Sequence, residues 1–208
     1  MNIGIIGSGR IGATVAWLLT RAGHEVALAN SRGPDTLAEH VGKLGPRAHA
    51  TTAAKAATFG DVVVVAVPVK AFPDLPAEQL SGKVVVDTGN YYPQRDGNIE
   101  ELDDDTTTST ELLGRQLSGA RLVKAFNTMY WENLRDDGRP DAPRDDRLAV
   151  FLAGDDEDAK KIVSGLIEEI GFAPVDTGSL AEGGRRQQPG SPIYGSLLKA
   201  PEAEAALA

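Results

Sequence analysis

The glycine-rich turn GSGRIG at residues 7–12 constrains this chain more than any other feature. It follows a short apolar run, Asn2–Ile6, whose β-branched residues are typical of a buried strand. Apolar residues at helical spacing come next, and a second apolar run, His24–Ala29, follows them. The glycine motif alone is a weak signal. Strand, GxGxxG, helix and strand within about 30 residues together predict a dinucleotide-binding βαβ unit.

The three glycines of the motif have separate expected roles. Gly7 permits a tight turn after the strand, Gly9 leaves room for a pyrophosphate to approach the backbone, and Gly12 lets the helix pack closely on the strand. The free amides at the start of the helix, with the positive end of its dipole, favour an anion there. In the alternative interpretation, the glycines only shape an ordinary turn.

The residues after the second strand indicate which dinucleotide is bound. A fingerprint selective for NAD places an aspartate or glutamate there, which accepts hydrogen bonds from the ribose hydroxyls. This chain has Asn30, Ser31 and Arg32 instead. A carboxylate would repel a 2′-phosphate, whereas a hydroxyl and a guanidinium donate hydrogen bonds to it. The sequence therefore predicts an NADP(H) site, with a solvated loop arginine as the alternative for Arg32.

Length and composition narrow the class of protein. The 208 residues suffice for one substantial α/β core, and 41% hydrophobic with 25% charged residues is typical of a globular protein. The net charge of -9 argues against a general affinity for nucleic acid or an anionic membrane. Because the chain has no cysteine, disulfides, thiolate metal sites and cysteine nucleophiles are excluded.

Targeting and membrane signals are not evident in the sequence. No apolar run approaches the roughly 20 residues of a membrane span. The first apolar run is not preceded by a basic region, so we expect no signal peptide and a cytoplasmic location.

Further apolar runs alternate with helical patterns along the rest of the chain. The clearest is Asp61–Val67, whose consecutive β-branched residues are typical of a strand buried on both faces. The others are Lys83–Val86, Leu122–Phe126, Leu148–Ala153 and Ala173–Val175. This alternation predicts a Rossmann-like, doubly wound, mostly parallel sheet with helices on both faces, formed as a single domain by residues 1–208.

Several polar residues follow these strands directly, at the edge where open parallel sheets bind ligands. Lys70 lies either near a cofactor phosphate or in solvent, and Asp87 either caps or orients its loop. Gly89 and Asn90 belong either to the cleft or to a structural turn. The predicted strand Leu122–Phe126 is followed at the same edge by Asn127, Thr128 and Met129.

Four segments lack a clear strand pattern. Residues 91–110 are polar and acidic and are expected to be a surface excursion, in which 103–105 form a cation site or a solvated charge run. Residues 135–147 are expected to form a mobile loop. Residues 178–195 are expected to form an ordered lid anchored by Tyr194, so that 178–208 closes the acceptor pocket. The last residues are expected to form a fraying helix.

The three histidines give no catalytic pattern. His24, His40 and His49 are scattered over early strand and helix edges, without metal-ligand spacing. None adjoins a predicted cleft. We therefore assign no catalytic acid or base and no metal site.

Four stretches of the sequence resemble a known family. They are residues 1–32, the DTGN turn at 87–90, the segment VKAFNTMYWENL at 123–134, and the helix that follows GDDEDAKK. They are similar to the NADP oxidoreductases that depend on coenzyme F-420, a deazaflavin. The resemblance implies one Rossmann-like domain, with NADP(H) in the carboxyl-end cleft and the deazaflavin laid against the nicotinamide.

The same resemblance implies roles for individual residues. The pyrophosphate would be held, after the turn at Gly7, by Ser8, Gly9, Arg10, Ile11 and Gly12. The 2′-phosphate would be bound by Ser31 and Arg32, next to Asn30. The nicotinamide side would be lined by Ala66, Val67 and Pro68. The second ring would face Asn127, Thr128 and Met129, with Asn90 as a further cofactor-binding residue.

These observations predict an enzyme that transfers hydride between NADP(H) and a deazaflavin, with small-molecule redox cofactors as its partners. A flavin is the alternative acceptor, because membrane metalloreductases with a similar NADPH domain also have an AFN-type segment. A small imine or hydroxy-acid reductase is a second alternative. Such enzymes usually add a large helical domain, for which a homodimer formed through the tail would partly substitute. A non-catalytic NADP(H)-binding sensor is the third.

Overall fold

The computed structural model describes all 208 residues and contains one eight-stranded sheet. The strands are β1 (Asn2–Ile6), β2 (Glu25–Ala29), β3 (Ala48–Thr51), β4 (Val62–Val65), β5 (Val84–Asp87), β6 (Arg121–Ala125), β7 (Ala149–Gly154) and β8 (Ala173–Asp176). Across the sheet they follow the order β3-β2-β1-β4-β5-β6-β7-β8.

The order of the strands opens a crevice beside β1. Ile6 at the end of β1 pairs with Ala29 of β2 on one side and with Val65 of β4 on the other. From β1 the chain first builds outward through β2 and β3, and then crosses to β4 and builds in the opposite direction. All neighbouring strands are parallel except β6 and β7. The loops after β1 and β4 therefore diverge, which is the arrangement that binds ligands in doubly wound sheets.

Eleven α-helices and three short 3-10 segments, Pro34–Leu37, Val69–Asp74 and Arg144–Asp146, connect the strands. None of the helices combines the length and apolar character needed to cross a lipid bilayer. The helices are α1 (Arg10–Arg21), α2 (Ala38–Leu44), α3 (Ala53–Phe59), α4 (Ala77–Leu80), α5 (Pro93–Asp96), α6 (Glu100–Asp103), α7 (Ser109–Gln116), α8 (Trp131–Asp136), α9 (Glu157–Glu169), α10 (Glu182–Arg186) and α11 (Ala200–Leu207).

Three helices begin at a side chain that caps them. Thr52 and Asp156 accept hydrogen bonds from the first turns of α3 and α9, and Thr108 forms a reciprocal capping box with Glu111 in α7. By contrast, α1 begins at Gly9 with no side-chain cap and no acidic residue in its first turn. Its first amides therefore remain available to another partner.

Apolar side chains cover both faces of the sheet. One large cluster packs α1 and α9 against the strands, with Val15 and Val163 fully buried. The other packs α3 and α7 on the opposite face, with Ala56 and Leu113 fully buried. The Rossmann-like, mostly parallel sheet with helices on both faces, predicted from the sequence, is confirmed.

Three segments are more tightly held than their sequence patterns indicate. Thr107–Thr110 is buried within the predicted surface excursion. The Arg147 guanidinium donates hydrogen bonds to three backbone carbonyls and so fastens the predicted mobile loop. The predicted fraying helix is α11, whose Ala200 and Ala203 are fully buried. The predicted surface excursion is wrong for residues 107–110, which are buried, whereas a helix in the last residues is confirmed as α11. Two of the three carbonyls that bind Arg147, those of Pro140 and Ala142, belong to the predicted loop itself.

The close packing of α3 on β1 gives a test of the fold. A Cβ at Gly4 would lie 2.2 Å from the carbonyl oxygen of Ala56. Gly4→Ala should therefore lower the free energy of unfolding by about 1 to 3 kcal/mol, the range for overpacked cores. At Gly165 in α9 no neighbouring atom lies within 4 Å of the added Cβ, so Gly165→Ala should raise it by up to about 1 kcal/mol.

Urea unfolding of both variants and the wild type measures these differences. If Gly4→Ala were as stable as the wild type, α3 would not approach β1 as closely as described.

Candidate functional site

Two cavities lie side by side at the carboxyl ends of the strands, with volumes of about 660 and 550 Å³. We call them the first and the second cavity. They share Gly9, Ala66, Val67 and Pro68. Because these residues follow β1 and β4, the two cavities meet at the crevice where the strand order reverses.

The first cavity lies next to the end of β2. It contains nine of the predicted cofactor-binding residues, namely Gly7, Ser8, Gly9, Asn30, Ser31, Arg32, Ala66, Val67 and Pro68. Five further residues complete its lining, namely Ile6, Ala53, Ala71, Asp74 and Leu75. Asp74 is the one acidic residue among them.

The loop after β2 carries one positively charged side chain, Arg32, that has no partner in the chain. Asn30 Oδ1 accepts a hydrogen bond from the amide of Arg32 at 3.0 Å, and Asn30 Nδ2 donates to Thr36 Oγ1 at 2.9 Å. Asn30 thus shapes the loop. The exposed guanidinium of Arg32 makes no hydrogen bond or ion pair within the chain. It is therefore available to an anionic ligand at the mouth of the first cavity.

The three glycines of the turn have different surroundings. Gly7 has a φ of 115°, and a Cβ there would lie 2.2 Å from the carbonyl oxygen of Ala66. A Cβ at Gly12 would lie 2.0 Å from the carbonyl oxygen of Gly7. At Gly9 no atom lies within 4 Å of an added Cβ. The backbone packing thus requires Gly7 and Gly12, whereas Gly9 is open space that borders both cavities.

The start of α1 points at the junction of the two cavities. Gly9, Arg10 and Ile11 line the second cavity, and the first helical hydrogen bond runs from Ala13 N to Gly9 O at 2.8 Å. The preceding amides have no intrahelical partner. Uncapped amides and the positive end of the dipole therefore face the place where a dinucleotide would carry its pyrophosphate.

The second cavity lies beside the ends of β5 and β6. Among the predicted residues it contains Gly9, Arg10, Ile11, Ala66, Val67, Pro68, Asn90, Asn127 and Met129. Two predicted residues line neither cavity. Gly12 packs beneath the turn, and Thr128 is buried, with its carbonyl oxygen accepting a hydrogen bond from the Gly195 amide at 2.8 Å.

An amide pair forms part of the second cavity. Asn127 Nδ2 donates to Asn90 Oδ1 at 3.0 Å and to the Gln187 carbonyl at 2.8 Å, and Asn90 Nδ2 donates to the Asn127 carbonyl at 2.9 Å. Asn127 is 4% exposed, yet its Oδ1 has no hydrogen-bond partner. An unpaired buried acceptor is costly, so this atom is suited to an N–H donor of a bound ligand.

The backbone that leads to Asn127 is strained. Phe126 has a φ of 65° although it is not glycine, and it is 2% exposed. Such a conformation costs about 1 to 3 kcal/mol and persists only where its surroundings hold it. Here it turns the chain sharply at the end of β6, which brings Asn127 to the cavity wall.

A buried ion pair fixes the loop that carries Gly89 and Asn90. Lys124 and Asp87 are 1% and 0% exposed, with Nζ 3.5 Å from Oδ2. Lys124 Nζ also donates to the Gly89 carbonyl at 2.9 Å and to Thr110 Oγ1 at 3.1 Å. Asp87 Oδ1 accepts from the Gly89 amide at 2.8 Å. Of its two predicted roles, Asp87 therefore orients the loop.

Sequence reasoning missed most of the aromatic wall of the second cavity. Six side chains line it that the predicted set lacks, namely Thr88, Tyr92, Arg95, Tyr130, Trp131 and Tyr194. Arg95 stacks over the Tyr92 ring at 5.1 Å and pairs with Asp96. The hydroxyl oxygens of Tyr92 and Tyr194 are 2.6 Å apart. Burial, followed by the Tyr92 hydroxyl, raises the pKa of Tyr194.

The histidines and the acidic run have different surroundings from those expected. His40 borders a third cavity of about 520 Å³, whose lining also includes Arg10, Trp17, Trp131 and Arg135. His24 is buried and hydrogen-bonds Glu169 at 2.5 Å. His40 is exposed but adjoins a cavity, contrary to the expectation, whereas His24 lies at the edge of β2 as expected and is buried there. In the acidic run, Asp103 accepts hydrogen bonds from Tyr91 and Asn98.

Comparisons with known proteins give matches in both sequence and structure. Residues 2–91 match the sequence model of a family described as NADP oxidoreductase, coenzyme F-420-dependent. The metalloreductase STEAP3 of Rattus norvegicus is 32% identical over 182 residues, which cover 86% of this chain and 34% of that protein. The chain thus spans about a third of the length of this curated relative.

Solved structures show the same fold over most of the chain. A hypothetical protein from Sinorhizobium meliloti is 35% identical, with a TM-score of 0.83, covering 96% of this chain and 95% of the other. A protein from Arthrobacter, provisionally described as an F-420-dependent NADP reductase, is 28% identical, with a TM-score of 0.75 and 90% coverage of both chains. An imine reductase from Myxococcus stipitatus, at 18% identity and a TM-score of 0.63, shares the fold alone.

The contrast between Gly9 and Gly12 gives a test of the site. Gly9→Ala adds a methyl group to open space, so the thermal midpoint should stay within about 2 °C of wild type. The same methyl group would stand where a pyrophosphate approaches the backbone, and NADPH affinity should fall at least about tenfold, that is, by about 1.4 kcal/mol. Calorimetry and isothermal titration measure the two effects.

Gly12→Ala is the matched control, because its methyl group would clash with the Gly7 carbonyl. It should lower the thermal midpoint by several degrees. If Gly9→Ala bound NADPH as the wild type does, the pyrophosphate would not lie at this turn.

Proposed function

We propose that this chain belongs to the coenzyme F-420-dependent NADP oxidoreductases, whose sequence model its residues 2–91 match, and that it transfers hydride between NADP(H) and a deazaflavin or flavin ring. The observation that carries the proposal is the junction of the two cavities at Gly9 and residues 66–68. A dinucleotide that extends through the first cavity and past the start of α1 would present its far ring to the second cavity.

The first cavity suits the phosphorylated adenosine of NADP(H). The free guanidinium of Arg32 and the hydroxyl of Ser31 lie where the 2′-phosphate would be, and neither has a carboxylate partner. The loop is shaped by Asn30 rather than by an acidic residue. Residues 8–12 would then hold the pyrophosphate through backbone amides and the dipole of α1.

The second cavity suits a planar ring with polar edges. Tyrosine and tryptophan side chains offer flat apolar surfaces, and Asn127 Oδ1 is an unpaired acceptor for a ring or carboxamide N–H. Met129 would contact the ring through its side chain. Thr128 would contribute only through its backbone, which binds the Gly195 amide and so shapes the cavity wall. The bound nicotinamide and its acceptor supply the hydride chemistry. The residues of this chain hold the rings in contact and exclude water.

Residues 178–195 take part in this arrangement. Tyr194 reaches the wall of the second cavity, and the Gln187 carbonyl binds the amide of Asn127. We therefore propose that the C-terminal segment closes the acceptor pocket.

The role of Arg32 is tested by its removal. Arg32→Ala should weaken NADPH binding by about 1.5 to 3 kcal/mol, the scale of a charge-assisted contact, and leave NADH binding nearly unchanged. Arg47→Ala, which removes an exposed arginine outside both cavities, is the matched control and should change neither affinity. Titrations with both nucleotides measure this. Equal losses for NADPH and NADH in Arg32→Ala would refute the assignment.

The acceptor is identified by stopped-flow mixing of the NADPH-loaded protein with a deazaflavin, FMN or FAD in separate experiments. We expect the deazaflavin absorbance to bleach fastest, in single turnovers that NADPH alone does not produce. Preferential bleaching of FMN or FAD would make a flavin the acceptor. If NADPH bound tightly and no acceptor reacted, the protein would instead be a sensor of NADP(H).

A further inference from the structure

The second cavity offers a hydrogen-bond donor that no other part of the chain uses. Tyr92 and Tyr194 both line this cavity, and their hydroxyl oxygens are 2.6 Å apart. Each hydroxyl carries one hydrogen. One of these hydrogens lies between the two oxygens. The other has no acceptor in the chain, because the remaining contact of the pair is a bond that Asn90 Nδ2 donates to the Tyr194 oxygen at 3.4 Å.

This count does not depend on which hydroxyl is the donor. If Tyr194 donates to Tyr92, the hydrogen of Tyr92 is free. If Tyr92 donates to Tyr194, the Tyr194 oxygen accepts from both Tyr92 and Asn90, and its own hydrogen is free. Either arrangement leaves one phenolic hydrogen at the wall of the second cavity.

The surroundings keep this group a neutral donor. Burial and the neighbouring hydroxyl raise the pKa of Tyr194, so the phenol remains protonated through the neutral range. The charged groups closest to the pair are Arg95, which stacks over the Tyr92 ring, and Asp96, which pairs with Arg95. No carboxylate accepts a hydrogen bond from either tyrosine.

We propose that the free phenolic hydrogen of the Tyr92–Tyr194 pair is donated to the acceptor ring, where it stabilises the negative charge that arrives with the hydride. This inference rests on the proposed function and assigns two catalytic residues to it. The C4–H bond of the dihydronicotinamide breaks, and its electron pair moves with the hydrogen to form a new bond on the acceptor ring. The ring gains one negative charge, which water later neutralises with a proton. The tyrosine O–H bond stays intact.

The proposal predicts an unusual pattern in a double-mutant cycle. In Tyr92→Phe the hydrogen of Tyr194 becomes free, and in Tyr194→Phe that of Tyr92 becomes free. Each single variant thus keeps one donor and should slow hydride transfer by about threefold or less. The double variant has none and should slow it by about a hundredfold or more, the usual loss for one preorganised donor. The two changes should therefore lose more together than the sum of their separate effects.

The readouts are single-turnover hydride transfer and an affinity ratio. The phenolic donor stabilises the negative charge of the reduced acceptor ring. The double variant should therefore bind the reduced acceptor about tenfold or more weakly, relative to the oxidised acceptor, than the wild type does. Either the deazaflavin or FMN is used, according to which the wild type reduces. NADPH affinity and the thermal midpoint should be unchanged. Tyr91→Phe is the matched control, because the Tyr91 hydroxyl bonds Asp103 outside this cavity.

Two results would overturn the inference. One is a double variant that transfers hydride within about fivefold of wild type and keeps the affinity ratio. The other is a double variant no slower than the slower single variant, which is the pattern of a purely structural contact between the two hydroxyls. Failure of the proposed function is recognised separately, because the wild type would then reduce neither ring.

Discussion

The backbone contact between the turn after β1 and the turn after β4 is the constraint on which the rest of the structure depends. The main chain at Gly7 approaches the Ala66 carbonyl so closely that a single methyl group would collide with it, and Gly12 approaches Gly7 in the same way. These contacts fix the start of α1 relative to the ends of both strands. The crevice exists, and the uncapped amides of α1 point into it, because side chains are absent where the backbones meet.

The opposite wall of the crevice is held by polar rather than apolar packing. Lys124 and Asp87 are buried as a pair that also binds Gly89 and Thr110. A buried charge pair is not by itself strong evidence for stability, because desolvation offsets much of the attraction. Its value here is geometric. It holds the loop after β5 in one conformation. In that conformation Asn90 accepts a hydrogen bond from Asn127, which follows the strained turn at Phe126.

The sequence predicted the parts of the site that are contiguous in the chain. The turn at 7–12 and the loop at 30–32 are local motifs, so spacing and residue type were enough to place them together. Tyr92 could not be placed in this way, and Tyr194 was expected only as an anchor of the lid at 178–195, not as a partner of Tyr92. They are 102 residues apart, and neither belongs to a motif whose physical role is independent of the fold. Thr128 and Gly12 were assigned to the ligand by their position in a motif, yet they contact the chain itself. The strands were found because β-branched runs are local, whereas the order of α11 depends on burial of Ala200 and Ala203 and that of residues 135–147 on the carbonyl contacts of Arg147.

The two halves of the site therefore differ in how freely they can change. The first cavity is lined by the turn after β1, the loop after β2 and residues that follow β4, and an added side chain at Gly7 or Gly12 would collide with the backbone that packs there. The second cavity is lined by the start of α1, by the loops after β4, β5 and β6, and by Tyr194 of the C-terminal segment. Tyr92, Tyr194 and Trp131 all lie outside the strands. If the first cavity holds a dinucleotide as proposed, the lining of the second cavity could differ between relatives, which include both a metalloreductase and a provisionally described F-420-dependent reductase, while the turn at 7–12 stays the same.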